Sequence, residues 1–195
     1  DMGLGLGGDT LKSTAEDLLF NRALPLNSYK TSRFTLDKDS PNALVMQTSI
    51  GQGNTLVSPM HMALITSAIA NDGVLMKPTM IDKIVNNSGD TVRETEKTEY
   101  KRLMTRNEAN ILGKLMKNVV ENGTASALNG RGYTVAGKTG SAEFDENGSS
   151  HSWFVGYSNV DDPDIAIAVI VENGGTGSEA AVPIAANVFD AYYFD

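Results

Sequence analysis

Three apolar, strand-like segments near the end of the chain constrain its fold more than any other feature. They cover residues 132–144, 152–158 and 165–173, and the connections "DENGSSH" and "NVDDPD" are short and rich in turn-forming residues. Short connections favour antiparallel neighbours, because parallel strands need a crossover of a dozen residues or more. A helix follows from about Pro183 to Tyr193. The pattern predicts an α+β fold in which this helix packs on an antiparallel sheet of at least three strands.

Capping and turn residues predict further elements upstream of the sheet. A glycine on each side of Gln52 indicates a tight turn. Gln52 either reaches a ligand cleft from behind the first predicted strand, residues 132–144, or serves the turn alone. His61, in the first turn of a buried helix, is predicted to be a surface or capping residue. The upstream elements are a helix from Asp9 to about Phe20, a loop over residues 21–47, a buried helix that begins at Pro59, a hairpin over residues 80–94, and a helix capped by Thr105 and Glu108.

Composition excludes several classes of site. The 195 residues contain no cysteine, so disulfides and thiolate metal sites are ruled out, and two histidines occur without a metal-binding spacing. The net charge is -8, and no cluster of Lys and Arg provides the basic face that a nucleic-acid-binding protein needs. We therefore expect no metal site built on cysteine or histidine and no nucleic-acid partner. No apolar run reaches the roughly 18 residues of a membrane span.

The first strand carries an unusual interruption. In "YTVAGKTGSAEF" (133–144), an apolar run gives way to Lys138, Thr139, Gly140 and Ser141. An ammonium group and a hydroxyl at a strand edge can hold a substrate carboxylate. A glycine lets an extended substrate lie along that edge as an added strand, and the next backbone N–H can donate to an oxyanion. Three letters alone are a weak signal, because a strand that ends at a turn with a solvated lysine would look the same.

The surrounding segments strengthen the functional interpretation. Upstream stand "SIGQGNTLVSPMHMALITSAIANDGVLMKP" and "VVENGTASALNGRGYTVAGKTGSAE", and downstream follow "HSWFVGYSNVDDPDIAIAVIVENGG" and "AAVPIAANVFDAYY". In this order they resemble the C-terminal half of the transpeptidase domain of class B penicillin-binding proteins. The resemblance covers most of residues 1–195. It implies a serine D,D-transpeptidase of β-lactamase-like fold, which cross-links peptidoglycan stem peptides and is acylated by β-lactams.

The resemblance also implies roles for the interrupted strand. The family uses three motifs, S-x-x-K, S-x-N and K-T/S-G, and the third is Lys138-Thr139-Gly140. By resemblance, Lys138 supplies positive charge and a hydrogen bond across the cleft. Thr139 binds the carboxylate of the peptide or the β-lactam, and the backbone N–H of Ser141 forms half of the oxyanion hole. Lys138, Thr139, Gly140 and Ser141 are thus the predicted substrate-binding residues, with Lys138 and the Ser141 backbone catalytic.

The other two motifs are missing. No serine is followed three residues later by lysine. Thr35–Lys38 and Thr98–Lys101 have the spacing without a serine, and Ser40–Asn42 reads S-x-N but follows the glycine-rich "GLGLGG" that it should precede. We therefore interpret residues 1–195 as the C-terminal portion of one transpeptidase domain, with nucleophile and base upstream of Asp1. We expect no transpeptidase activity from the chain alone, because acylation requires both groups.

Two other functions use the same fold. One is a β-lactam sensor or a serine β-lactamase-like protein, which shares K-T/S-G and would be distinguished by turnover of a chromogenic cephalosporin. The other is a non-catalytic pseudoenzyme that binds ligand without a serine. An S-x-x-K motif upstream in the gene would favour the enzyme, and its absence would favour the pseudoenzyme.

Partners and location follow from the resemblance. The partners implied are the D-Ala-D-Ala stem peptide and β-lactams. Without the first half of the domain, we expect exposed apolar surface and hence self-association, a rearranged sheet, or a partner chain that carries the missing half. The implied location is the extracytoplasmic face of the bacterial membrane, with anchoring by an upstream segment.

Overall fold

A computed structural model describes residues 2–26, 29–144 and 150–194. The main sheet lies in the second half of the chain. In chain order the elements are α1 (Met2–Asp17), α2 (Asn42–Ser49), α3 (Pro59–Ala70), β1 (Val74–Met76), β2 (Lys83–Val85), β3 (Thr91–Glu94), β4 (Glu99–Arg102), α4 (Arg106–Asn122), β5 (Val135–Glu143), β6 (Ser150–Ser158), β7 (Ile165–Val171) and α5 (Val182–Phe194).

The three predicted strands form one antiparallel sheet in the order β5-β6-β7. β5 and β6 pair without a bulge from Val135 opposite Ser158 to Glu143 opposite Ser150. β6 and β7 pair from Ser152 opposite Val171 onward. The predicted α+β architecture is therefore confirmed, including the C-terminal helix α5, which packs on the sheet through Phe189.

The sheet is covered on both faces by helices. Phe154 of β6 and Phe189 of α5 are fully buried in the cluster on one face. On the other face, Ala136 and Tyr157 pack with Met116 of α4. Alternate strand residues point to opposite faces, so each strand contributes to both cores. The predicted hairpin forms as β2 and β3, and a second pair, β1 with β4, was not predicted.

A pair of facing glycines makes room for Phe154. Gly137 and Gly156 lie opposite each other in the β5–β6 register. A Cβ on Gly137 would stand 2.3 Å from the Phe154 ring, and one on Gly156 would stand 2.7 Å from it. Phe154 is also the cross-strand neighbour of Thr139. The Phe154 ring therefore packs between β5 and β6 next to the Lys138–Ser141 interruption of β5.

A hydrogen-bonded carboxylate ties α5 to the beginning of β5. Asp190 accepts from the Tyr133 hydroxyl at 2.6 Å and forms an ion pair with Arg131 at 2.5 Å. The Tyr133 and Arg131 hydrogen bonds lower the pKa of Asp190. Burial, followed by the bond to Asp190, raises the pKa of Tyr133 to about 12. The phenol thus stays neutral at ordinary pH and serves as a fixed donor between helix and strand.

His61 corrects the prediction of a surface or capping residue. Ser58 is the N-cap of α3, as predicted, and accepts from the backbone N–H of His61 at 3.2 Å. The His61 side chain is fully buried. Its Nε2 lies 2.7 Å from the Leu18 carbonyl, and its ring lies 4.8 Å from that of Phe20. The histidine thus joins α3 to the segment after α1, which only the tertiary fold brings together.

We expect His61 to make the chain less stable in mild acid. Burial, partly offset by the bond to Leu18, lowers its pKa in the folded state. An unfolded chain protonates His61 as pH falls below about 6.5. The unfolded state then binds more protons, so the free energy of unfolding decreases from about pH 7 toward the lowered folded pKa. Urea unfolding at pH 7.5 and 5.0 should show this loss, and it should shrink in His61→Gln.

His151→Gln provides the matched control, since His151 is only partly buried, on β6. If that substitution removes the pH dependence and His61→Gln leaves it intact, the assignment to His61 is wrong.

Two helical boundaries differ from the predictions. α1 extends from Met2 to Asp17 and breaks at Gly7, whose φ is 79°, rather than running from Asp9 to Phe20. Leu19 then turns with φ 72°, which ends the helix early. Part of the predicted loop over residues 21–47 is helical, because α2 begins at Asn42 directly after Pro41.

The apolar residues of α4 and α5 are only partly buried. Met116 and Val120 of α4 are buried, as is Phe189 of α5. The remaining apolar members are exposed because, within the described residues, no element covers them; they are Ile111, Leu112, Leu115, Ile184, Val188 and Tyr192. None of the described helices is both long and apolar enough to cross a membrane.

Candidate functional site

The four predicted site residues lie in succession on β5, an edge strand. Within the described residues, β5 pairs only with β6, so its other edge is free. Lys138 and Ser141 are exposed, Thr139 is buried and Gly140 is half-buried. A side chain at Gly140 would project past the Cβ of Trp153, at 3.3 Å, into otherwise open space. Glycine at this position therefore keeps the strand accessible to an extended ligand.

A groove of about 580 Å³ runs along this stretch. One wall is the strand itself, with Trp153 and Val155 of β6 beside it. The other walls come from α1 and the segment after it, the turn after α2, the loop at Phe34 and the start of α3, and most of their side chains are apolar. They include Leu11, Ala15, Leu18, Phe20, Phe34, Ile50, Val57 and Met62. Trp153 is half-buried in this groove, so it belongs to the cleft as well as to the sheet.

Lys138 and Ser141 point in different directions. Lys138 Nζ donates to the Thr139 carbonyl at 2.7 Å. The Ser141 hydroxyl accepts from the Gly177 N–H at 3.3 Å, which engages its side chain behind the strand. What Ser141 offers at the free edge is therefore its backbone.

The Thr139 hydroxyl has a partner that was not predicted. Thr124, in the turn after α4, lies with its hydroxyl oxygen 2.5 Å from that of Thr139. The bond orients Thr139, and when the Thr124 hydroxyl donates, Thr139 keeps its own hydrogen for a ligand oxygen. Nothing in "ENGTAS" signals the contact, because residues 124 and 139 meet only in the folded chain.

Gly177 was also missed. It opens a single π-helical turn, Gly177–Ala181, that backs onto the interrupted strand. A Cβ there would stand 2.6 Å from the Trp153 carbonyl oxygen and 2.8 Å from that of Gly140. Both contacts are backbone atoms, so no side chain is tolerated without moving β5 or β6. No local sequence pattern indicates this close approach, because it depends on tertiary packing.

The sequence left two roles open for Gln52, a contact with the interrupted strand or a role in the turn alone. Its Nε2 donates to the Ser141 carbonyl at 3.0 Å, across the groove. The predicted tight turn is present, since Gly51 and Gly53 have φ of 83° and 81°. Gln52 therefore reaches the interrupted strand from the opposite wall.

The partial matches to the missing motifs lie elsewhere. Ser40 bonds locally with Asp37 at 3.0 Å, in the turn before α2. Lys101 Nζ donates to the carbonyl of Asp17, and Lys38 lies on an exposed turn. None of these residues lines the groove. The groove thus presents a strand edge, a cation and backbone donors without a serine nucleophile paired with a lysine.

A larger cavity, of about 810 Å³, lies between α3, α4 and the β6–β7 connection. It contains none of the predicted site residues. Asp161, Asp162 and Asp164 line it, opposite Lys114 and Lys117. Among the described residues, no group of three or more His, Asp or Glu side chains is arranged to hold a metal ion. We therefore assign the candidate site to the smaller groove, where the predicted chemistry is found.

The chain is similar to known proteins over almost its whole length. The family model of the penicillin binding protein transpeptidase domain matches residues 2–190 of this chain. Peptidoglycan D,D-transpeptidase PbpA of Mycolicibacterium smegmatis is 29% identical over 195 residues, which cover 94% of this chain and 39% of that protein. Penicillin-binding protein 3 of Bacillus subtilis is 32% identical over 178 residues, which cover 87% of this chain and 25% of that protein. The chain spans well under half the length of both relatives.

Solved structures show the same fold. Penicillin-binding protein A from Mycobacterium tuberculosis, as an imipenem acyl-enzyme complex, superposes with a TM-score of 0.84 at 26% identity, covering 97% of this chain and 43% of that one. The D,D-transpeptidase domain of a peptidoglycan glycosyltransferase from Eggerthella lenta gives 0.82 at 30% identity, covering 97% and 48%. Because the family model matches residues 2–190, the chain belongs to the penicillin-binding protein transpeptidase family.

Proposed function

We propose that this chain forms the K-T-G wall of the active site of a peptidoglycan D,D-transpeptidase. The observation that carries the proposal is the placement of Lys138-Thr139-Gly140-Ser141 along a free strand edge that lines a groove, in a chain of this family. The reaction is acyl transfer to and from a serine. Its hydroxyl attacks the carbonyl between the two D-Ala residues, the C–N bond breaks, and D-Ala leaves. An amine of a neighbouring stem peptide then attacks the ester and releases the serine.

Each residue of the wall has a chemical task in this proposal. Lys138 supplies positive charge and a hydrogen bond across the cleft, and Thr139, oriented by Thr124, binds the substrate carboxylate. Gly140 leaves room for the substrate backbone. The backbone N–H of Ser141 stabilises the negative charge that develops on the carbonyl oxygen. No metal or organic cofactor enters these steps.

The nucleophile and its base come, in this proposal, from residues outside the present sequence. No Ser-x-x-Lys occurs among the 195 residues. We therefore expect this chain alone to be inactive. In the complete gene product, β-lactams should acylate the same serine, as the imipenem and penicillin G acyl-enzyme complexes of the mycobacterial relative suggest by analogy.

We further propose what covers the exposed apolar surface and where the active site lies. Apolar residues of the groove such as Ile50 are exposed. All residues of β7, the strand at the other edge of the sheet, are partly exposed. Such apolar surface drives association when nothing covers it. The upstream part of the domain or a second copy of this chain would cover it. Since the substrate of the proposed reaction is peptidoglycan, the active site would lie on the extracytoplasmic face of the membrane.

Intact mass after incubation with excess benzylpenicillin tests the function. We expect the complete gene product to gain the mass of one penicillin and the 195-residue chain to gain none. Sedimentation of the same two samples should show association of the chain alone. Acylation of the short chain would refute the absence of a nucleophile. Failure of both to react would favour the pseudoenzyme, and rapid release of the adduct would favour the β-lactamase-like protein.

A further inference from the structure

We propose that Gln52 is a positioning residue for the acyl donor. Its side-chain amide holds the Ser141 carbonyl at the place on the β5 edge where an extended peptide would pair. The inference rests on the proposed function and adds to it a residue from the opposite wall of the groove.

The direction of the backbone at this edge is given by two hydrogen bonds. The carbonyls of Thr139 and Ser141 accept from Lys138 Nζ and Gln52 Nε2, so both point away from β6. In an antiparallel strand the N–H and C=O of one residue point to the same side. The N–H of Ser141 therefore faces the free edge together with its carbonyl. One residue thus offers a donor and an acceptor to an incoming strand.

Gln52 is held in place before any ligand binds. Gly51 and Gly53, on either side of it, have φ of 83° and 81°, a conformation that favours glycine. The Gln52 backbone N–H donates to Gln47 at 2.9 Å, and that of Gly51 donates to Thr48 at 3.0 Å, which ties the turn to the end of α2. The turn fixes the backbone of Gln52, so holding the amide across the groove costs only the entropy of its own side-chain torsions.

The Ser141 carbonyl retains capacity for the ligand. A carbonyl oxygen has two lone pairs, and Gln52 uses one of them. An amide N–H of the acyl donor can take the other, while the donor's reacting carbonyl lies over the Ser141 N–H. The Gln52 bond keeps the Ser141 carbonyl directed into the cleft, so it favours ligands that present an amide N–H at that position. Gln52 acts through Ser141 and forms no bond with the reacting atoms.

Two penicillins separate this role from a general structural one. Benzylpenicillin carries an acylamino N–H, whereas 6-aminopenicillanic acid has a primary amine, a weaker N–H donor, in place of the acylamino group. The complete gene product is compared with Gln52→Met, which keeps similar bulk and loses the donor. Gln47→Met is the matched control, because Gln47 is an exposed glutamine on α2 that does not line the groove. The quantity measured is the second-order rate constant of acylation, followed by intact mass.

We expect Gln52→Met to slow acylation by benzylpenicillin about tenfold and by 6-aminopenicillanic acid about twofold, since one neutral hydrogen bond contributes about 0.5–1.5 kcal/mol. Gln47→Met should change neither rate. An equal fall for both penicillins would reduce Gln52 to a structural residue, and unchanged rates would also overturn the inference. If the unsubstituted protein is acylated by neither penicillin, the proposed function fails, and this inference falls with it.

Discussion

Replacing Lys138 with alanine in the complete gene product should slow acylation by benzylpenicillin about 100-fold. Lys138 is the cation on the wall of the groove, and its Nζ is held by the Thr139 carbonyl at 2.7 Å. A preorganised donor aimed at developing charge typically contributes a factor of 10² to 10³ to the rate. Stopped-flow or timed intact-mass measurements would give the rate constant.

Lys114→Ala is the matched control for Lys138→Ala. Lys114 is exposed on α4 and lines the other cavity, so its removal should leave the acylation rate unchanged. Circular dichroism of both variants would show that the fold is retained. A Lys138→Ala rate within twofold of the unsubstituted protein would contradict the role assigned to this lysine.

Phe154→Ala should give the largest loss of stability of any single truncation in the sheet. The ring is fully buried and fills the space left by Gly137 and Gly156, so the remaining atoms cannot close the cavity without a backbone shift. Removing a buried phenylalanine costs about 3–5 kcal/mol. The free energy of unfolding, measured with urea on the complete gene product, would show this decrease.

Phe144→Ala serves as the comparison, because Phe144 is 49% exposed and only stacks on His151. We expect that substitution to cost less than about 1 kcal/mol. Equal losses for the two phenylalanines would refute the argument that the glycine pair creates a special site for Phe154. Since Phe154 lies opposite Thr139, its truncation should also slow acylation.

Local patterns predicted the elements well where the residues carried their own signals. The alternation and short turns of residues 132–173 predicted β5, β6 and β7, and Thr105 with Glu108 predicted the start of α4, where the capping box is present. Local patterns do not decide which residues of a helix face are buried. Ile184 and Phe189 belong to the same apolar stripe, yet only Phe189 is buried. Periodicity identifies an apolar face, but burial depends on which neighbour covers it.

The sequence by itself determined the strand order, the position of Lys138-Thr139-Gly140-Ser141 on one strand, and the absence of a Ser-x-x-Lys pair, because these depend on neighbouring residues. Tertiary structure alone decided that His61 is buried against Leu18, that Thr124 orients Thr139, and that Gln52 bonds to Ser141. The partners in these contacts are separated by 43, 15 and 89 positions. No local propensity encodes such pairs, since they form only when packing of the helices against the sheet brings distant segments together.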